Sequence, residues 1–186
     1  MLILIADDES IIRMGLKSML ESMGHQVIAA ANGREAIRLA ESQRPDLGIL
    51  DIRMPYTDGL QAARTIVQAR PIPILILTAF SERDLIEKAS DLPIHGYLVK
   101  PVQPEELGAA ITVAAKRFEE KQSLAERTAA LERELAARKL VERAKGKLML
   151  TGMSEEEAFQ SLRDRARNNR QSLVAAAEAI LRQMSQ

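Results

Sequence analysis

Short apolar runs recur through roughly the first 110 residues, with amphipathic stretches between them. Residues 2–5, 27–30, 47–50, 74–77 and 97–99 are apolar without polar alternation, the pattern of strands covered on both faces. After the first run, Ile12, Leu16, Met19, Leu20 and Met23 repeat at helical spacing, and Gly24 stands where the helix would close. Asn32-Gly33 and Asp58-Gly59 punctuate two of the joins. Five strands alternating with five helices predict an α/β domain, a five-stranded parallel, doubly wound sheet with helices on both faces.

From Pro104 onward no strand pattern remains. Residues 105–136 read as one long helix in which Leu124, Thr128, Leu131 and Leu135 form a short heptad seam with charged flanks. A coiled coil between two chains satisfies that seam, and so does packing against the helices that follow. The helical pattern continues over 138–149, with Leu140, Val141, Ala144, Leu148 and Met149 on one side. Thr151-Gly152-Met153-Ser154 breaks it, and Ser154 with Glu157 forms a capping box that opens a helix through Ala158, Phe159 and Leu162. Asn168-Asn169 ends that element, and residues 173–181 make a last, alanine-rich helix. Helices this short do not hold alone, so a small three-helix bundle is expected. Gly146, in mid-helix, is about 1 kcal/mol worse than Ala, which predicts a close-packing reason for it.

Composition narrows the function classes. Aromatics are 3% of the 186 residues, too few for a sheet that stacks unpaired bases. There is no cysteine, hence neither a disulfide framework nor a thiolate metal site. No run approaches the roughly 20 apolar residues of a membrane span, and the N-terminus meets acid too early for a signal peptide. A soluble, cytoplasmic protein with no membrane partner is expected. Net charge is zero, yet residues 138–170 carry nine basic against five acidic side chains, while residues 1–110 carry 11 against 15. The basic C-terminal part could meet a polyanion, although a solvated helix surface explains the same charge.

Four features of the first domain fall where strands end: Asp7-Asp8-Glu9, Asp51, Thr78 and Lys100-Pro101. In an open parallel sheet the carboxyl ends of the strands share one edge, where ligands bind. Carboxylates gathered there repel one another unless a hard divalent cation sits among them, and an oxygen-only set suits Mg²⁺. One carboxylate can then attack phosphorus while a hydroxyl and a lysine take up charge on the transferring group. Each residue alone has a bland explanation, as a helix cap or a surface charge; all four at four strand ends do not.

Residues 1–118 resemble the receiver domain of two-component response regulators. The match rests on Asp7-Asp8, Asp51 with Met54-Pro55 and Asp58-Gly59, Thr78-Ala79, and Gly96-Tyr97-Leu98-Val99-Lys100-Pro101. The resemblance implies a flavodoxin-like fold, Asp51 as phospho-acceptor, and Mg²⁺ held by Asp8, Asp51, the Arg53 backbone carbonyl and, through water, Asp7. It further implies that Thr78 and Lys100 contact the phosphoryl group, that Tyr97 is an aromatic switch beside Thr78, and that Lys100-Pro101 is a cis peptide. A sensor histidine kinase is the implied donor. Leu92-Pro93-Ile94-His95 departs from the family pattern. His25 and His95 match no functional position and read as strand-edge residues.

The C-terminal residues are similar to the ANTAR domain, a three-helix RNA-binding module of antitermination regulators. The resemblance covers about residues 124–184 and is carried by Arg138 through Met149, above all Glu142-Arg143-Ala144-Lys145-Gly146, with Ser154 through Phe159, Leu162 and Ala166. Lys147 and the Val174-Ala175-Ala176-Ala177 run depart from the family. Lys139, Arg143 and Lys147 follow at four-residue steps along one helix side, flanked by Arg138 and Lys145, a ridge able to contact phosphates in an RNA stem-loop. The organisation expected is a receiver over 1–118, a helical linker with a short coiled coil over 119–137, and an ANTAR bundle over 138–186. The expected function is a response regulator in which phosphorylation of Asp51 controls RNA binding and antitermination, with a phosphorylation-dependent homodimer allowed by the seam. It is not expected to be an enzyme beyond slow self-dephosphorylation.

Two rivals stand beside a regulator acting through protein partners alone. A DNA-binding output is disfavoured because Gln171 through Ala177 offers almost no side chain to read a major groove. A phosphatase with its nucleophile after strand one fits Asp7-Asp8-Glu9 less well than a receiver fits Asp51.

Overall fold

A computed structural model describes residues 1–79 and 94–183. The chain divides into two compact units, Met1–Gln122 and Ser123–Gln186. In the first, β1 (Leu2–Ala6), β2 (Gln26–Ala30), β3 (Leu47–Asp51), β4 (Ile74–Thr78) and β5 (Gly96–Val99) form one sheet. Its order is β2-β1-β3-β4-β5, and every pairing is parallel. Among the described residues the helices of this unit are α1 (Ser10–Ser22), α2 (Gly33–Gln43), α3 (Gly59–Ala69) and α4 (Pro104–Met149), the last ending in the second unit. The helix expected between β4 and β5, together with Leu92 and Pro93, lies outside the described residues.

Period-two alternation explains why the strands are apolar throughout. Leu4, Ala6, Leu50, Ile74 and Ile76 join Ala36 of α2 and Ala62, Ala63 and Ile66 of α3 in one core. Their neighbours Ile3, Ile5, Leu47, Ile49, Leu75 and Leu77 face the other way, onto Leu16 and Leu20 of α1 and Leu107, Ile111 and Ala114 of α4. Local signals agree with this layout. Gly24 takes φ +82° just past α1; Asn32 and Asp58 cap α2 and α3 by accepting from the Glu35 and Gln61 amides. His25 and His95 sit at strand entries, where the His95 Nδ1 accepts the Ile74 amide at 3.2 Å.

In the second unit, α5 (Glu155–Asn168) and α6 (Leu173–Gln183) pack with the end of α4. Ala144, Leu148, Ala158, Leu162, Ala166, Ala176, Ala177 and Ile180 are the buried core. Both halves of the capping box form, at 2.7 Å and 3.3 Å. Of the alanines of α6 that depart from the family, Ala176 and Ala177 are therefore core residues, short enough to bring α6 close.

One expectation is corrected here, and one of the two readings of the leucine seam falls away. A Cβ added to Gly146 would meet nothing within 4 Å, so no close packing among the described residues accounts for that glycine. The seam leucines do not join the bundle core, since Leu124, Leu131 and Leu135 remain 65%, 66% and 53% exposed. Packing against the following helices is thus excluded for them.

Candidate functional site

The sheet order reverses direction between β1 and β3, and the crevice at their carboxyl ends is where such folds bind ligands. Asp7 and Asp8 leave β1 there, and Asp51 is the last residue of β3. Carboxylate oxygens of all three lie within 4.8 Å of one another. Asp7 and Asp51 are buried while Asp8 is exposed, so the cluster opens outward on the Asp8 side. Lys100, directly after β5, places Nζ 2.7 Å from Asp7 Oδ2 and 2.8 Å from Asp51 Oδ1.

Burial works to lower the Lys100 pKa, but its contacts with Asp51 and Asp7 outweigh that and hold it above the ordinary lysine value. The sign follows: the ion pairs contribute fully below the ordinary lysine pKa and are lost only as pH rises through the raised one. Near neutral pH the ammonium is therefore a fixed charge of the site. One ammonium does not balance three carboxylates. Asp7 is fully buried, and its Oδ2 shares the Lys100 ammonium with Asp51. Three carboxylates converging on one ammonium leave negative charge that a hard divalent cation, bound by oxygen ligands, neutralises. The donor set therefore fits Mg²⁺.

Thr78 ends β4, buried, with its hydroxyl donating to the Ala79 carbonyl at 3.0 Å. Tyr97 on β5 is exposed at 38%, and the burial of the rest of its ring pushes its phenol pKa up. Arg53 lines a surface depression with Asp8, Ile52, Met54, Pro55 and Asp58. The Lys100-Pro101 peptide is cis. The loop after Asp51 is tightly closed, because a Cβ on Gly59 would collide with the Asp51 carbonyl oxygen. A second depression, between α2 and α3 and lined by Ile37, Arg44, Ile66 and Arg70, lies at the amino edge of the sheet, away from the acids.

Sequence reasoning passed over one residue. Arg13, in the first turns of α1, donates from a single Nη1 to the backbone carbonyls of Asp7 at 2.7 Å and Asp8 at 2.9 Å. With the Glu9 amide donating to Asp7 Oδ1 at 2.9 Å, it fixes the acidic turn. Its signal was its place at the start of α1, just after the acids, but the apolar periodicity of that helix drew attention to other positions.

On α4, Arg138, Lys139 and Arg143 are exposed and Lys147 is half-buried. Lys145 differs from these: it is 13% exposed and bridges Glu142 at 3.0 Å and Glu155 at 2.7 Å, tying α4 to the start of α5. Hydrogen bonding to Lys145 holds the Glu155 carboxyl below the usual range. This tie is present above the ordinary carboxylate pKa and is lost as pH falls through the lowered one.

A family model described as the response regulator receiver domain matches residues 3–112, and the ANTAR domain model matches residues 129–181. The chain is 45% identical over 181 residues to the transcriptional regulatory protein PdtaR of Mycobacterium tuberculosis strain H37Rv, covering 96% of this chain and 88% of that one. Among solved structures it is similar to the signal receiver domain of a modulated diguanylate cyclase from Desulfovibrio desulfuricans G20. That match has TM-score 0.61 and 30% identity, covering 64% of this chain and 97% of the other. A receiver domain protein from Clostridium thermocellum matches with TM-score 0.59 and 33% identity, over 63% of this chain and 96% of its own. Among the described residues no helix is long and apolar enough to cross a membrane.

Proposed function

This chain belongs to the two-component response regulators that join a receiver to an ANTAR domain, and on that premise we propose that phosphorylation of Asp51 controls RNA binding by the C-terminal helices and, through it, transcription antitermination. The observation that carries the reading is the placement of Asp51 beside Asp7, Asp8 and Lys100. The donor is a sensor histidine kinase bearing phosphohistidine. The Asp51 carboxylate attacks phosphorus, the P–N bond breaks, and its electron pair stays on the imidazole nitrogen. Lys100 and Thr78 take up charge on the phosphoryl oxygens. Mg²⁺, held by Asp7, Asp8, Asp51 and the Arg53 carbonyl, would supply further neutralisation of that charge. The chain is an acceptor rather than an enzyme, and slow self-dephosphorylation is the only turnover expected of it.

Metal dependence is testable. Phosphorylation by a small phosphodonor should require Mg²⁺ or Mn²⁺, and EDTA should stop it. Arg13→Ala should keep the fold but raise the Mg²⁺ concentration for half-saturation by roughly 10-fold or more, the usual scale for losing a group that orients metal ligands. Calorimetric titration of Mg²⁺ checks this, and an unchanged affinity would reduce Arg13 to a helix anchor.

The exposed leucine seam supports a homodimer that forms or tightens on phosphorylation. Light scattering should show mass rising with phosphorylation, and replacing Leu131 and Leu135 by polar residues should prevent it. A monomer in both states at micromolar concentration would overturn the pairing.

The experiment that tests the output compares the unphosphorylated and phosphorylated chain in gel shifts on stem-loop RNA, with duplex DNA of equal length beside it. Stronger RNA binding after phosphorylation is expected, because two linked ridges bind two loops more tightly than one. Equal, salt-sensitive binding to both nucleic acids, unaffected by phosphorylation, would leave only nonspecific electrostatics.

A further inference from the structure

The crevice between α2 and α3 has a volume of about 360 Å³, within the range of small-molecule pockets. Its origin is local. Ile37, Ala40, Glu41 and Arg44 follow at helical spacing along α2 and its cap, and Ile66, Ala69 and Arg70 line the opposite wall. Ala40 and Ala69 carry only a methyl group each, too little to fill the space over the buried Ile66 and Ile72. An apolar floor is left open to water.

The mouth carries two arginines. Arg44 and Arg70 cap α2 and α3, but the capping uses their backbone amides, which bond to the Ala40 and Ile66 carbonyls. Arg44 takes φ +52°, a left-handed conformation that glycine would adopt without strain. The attraction of an exposed cation to a helix C-terminus offsets that strain at best. What arginine adds here is its guanidinium. Arg70 Nη1 donates to the Pro45 carbonyl at 3.3 Å, which holds that side chain against the loop leaving α2. Among the described residues neither arginine has a carboxylate partner, Glu41 on the same rim included. Two guanidinium groups and one carboxylate leave the mouth positive. Planar donor forks above an apolar floor match a molecule with an apolar body and a carboxylate at one end.

We propose that this crevice binds a small amphiphilic carboxylate, of the medium-chain fatty acid class, and that its occupancy is coupled to phosphorylation of Asp51. The coupling rests on Asp51 as acceptor and on where the two helices begin. A Cβ on Gly33, the first residue of α2, would collide with the Thr57 carbonyl. One on Gly59, the first residue of α3, would collide with the Asp51 carbonyl. The helices that form the crevice at their carboxyl ends thus grip the acceptor loop at their amino ends. Close-packed helices shift as bodies rather than deform, so a displacement at one end is felt at the other.

The probe is octanoate, kept below the concentration at which it forms micelles and titrated into the ¹⁵N-labelled full chain. Amide shifts should centre on Ile37, Ala40, Ile66 and Ala69. Octanol, which lacks the charge, and acetate, which lacks the apolar body, should each bind roughly 10-fold more weakly or worse, the scale of losing charged hydrogen bonds or buried methylenes. Arg44→Gly should lower octanoate affinity by a similar factor yet melt no lower than wild type. Ala69→Leu, which fills the crevice, should abolish binding while the fold persists, and Glu41→Gln should strengthen it. With Mg²⁺ in both samples, the chain labelled by acetyl phosphate should bind octanoate with an affinity that differs from the unlabelled chain's by roughly 5-fold or more. Octanol binding as tightly as octanoate, or shifts that survive Ala69→Leu, overturns the carboxylate site. Equal affinity in the two phosphorylation states overturns the coupling. A chain that acetyl phosphate cannot label removes Asp51 phosphorylation and the coupling with it, while the octanoate titration still decides the site.

Discussion

Asp51→Asn is expected to abolish labelling by a small phosphodonor, while the wild type gains one phosphoryl group per chain. The substitution keeps shape and removes only the anion, and a neutral carboxamide is no nucleophile toward phosphorus. The neighbouring acids are poor substitutes. Asp7 is buried, with Oδ1 engaged by the Glu9 amide and Oδ2 beside Lys100; Asp8 stands on the exposed side. Loss of fold does not explain the result, because the electrostatic changes oppose one another. Losing the charge removes two carboxylate repulsions of about 3.5 kcal/mol each, at the 4.8 Å bound on their separation, and one attraction to Lys100 of about 6 kcal/mol, taking an effective dielectric of about 20. The terms nearly cancel, so the thermal midpoint should move little. Mass spectrometry of the labelled chain, with calorimetry beside it, checks both halves. Full labelling of the variant would place the acceptor elsewhere.

The sheet and the edge that carries the site are legible in the chain's apolar pattern. Runs such as Ile74 through Leu77 are apolar at every position because each successive side chain enters a different core, and only a sheet covered on both faces asks for that. Once the strands are parallel, the acids and Lys100 have to meet at one edge, so spacing alone brings the site together. What remained hidden depends on atoms that carry no pattern. Arg13 acts on backbone carbonyls, and a backbone acceptor has no residue type to match. Tyr56 takes φ +70° in the loop after Asp51, and no residue type announces that, since the conformation is set by the contacts that close the loop. Gly146 was misread for a related reason: a mid-helix glycine implies close approach, but the sequence does not say whether the approaching body belongs to the same chain. Lys145 was grouped with the basic ridge by charge, whereas its bridge to Glu155 depends on a turn that folds α5 back beside α4.

Lys139→Ala and Arg143→Ala should therefore weaken RNA binding most among the basic residues of α4, and they should do so with different signatures. Both side chains are exposed. If Lys139 contacts phosphate, its loss lowers affinity for every stem-loop alike and reduces the slope of log K against log salt by about one unit. If Arg143 reads a base edge, its loss costs about 1–3 kcal/mol and relaxes the preference among loop sequences. Lys145→Ala should behave otherwise, loosening the tie between α4 and α5 and lowering the thermal midpoint of the second unit. Gly146→Ala separates stability from contact. With nothing within 4 Å of the added Cβ, the bundle should gain up to about 1 kcal/mol. RNA lying across the ridge at that point would meet the new methyl group, so affinity should fall while stability rises. Gel shifts over a salt series, paired with thermal melts of each variant, read out both quantities. Binding that survives Lys139→Ala and Arg143→Ala with its salt slope intact would remove the ridge from the interface.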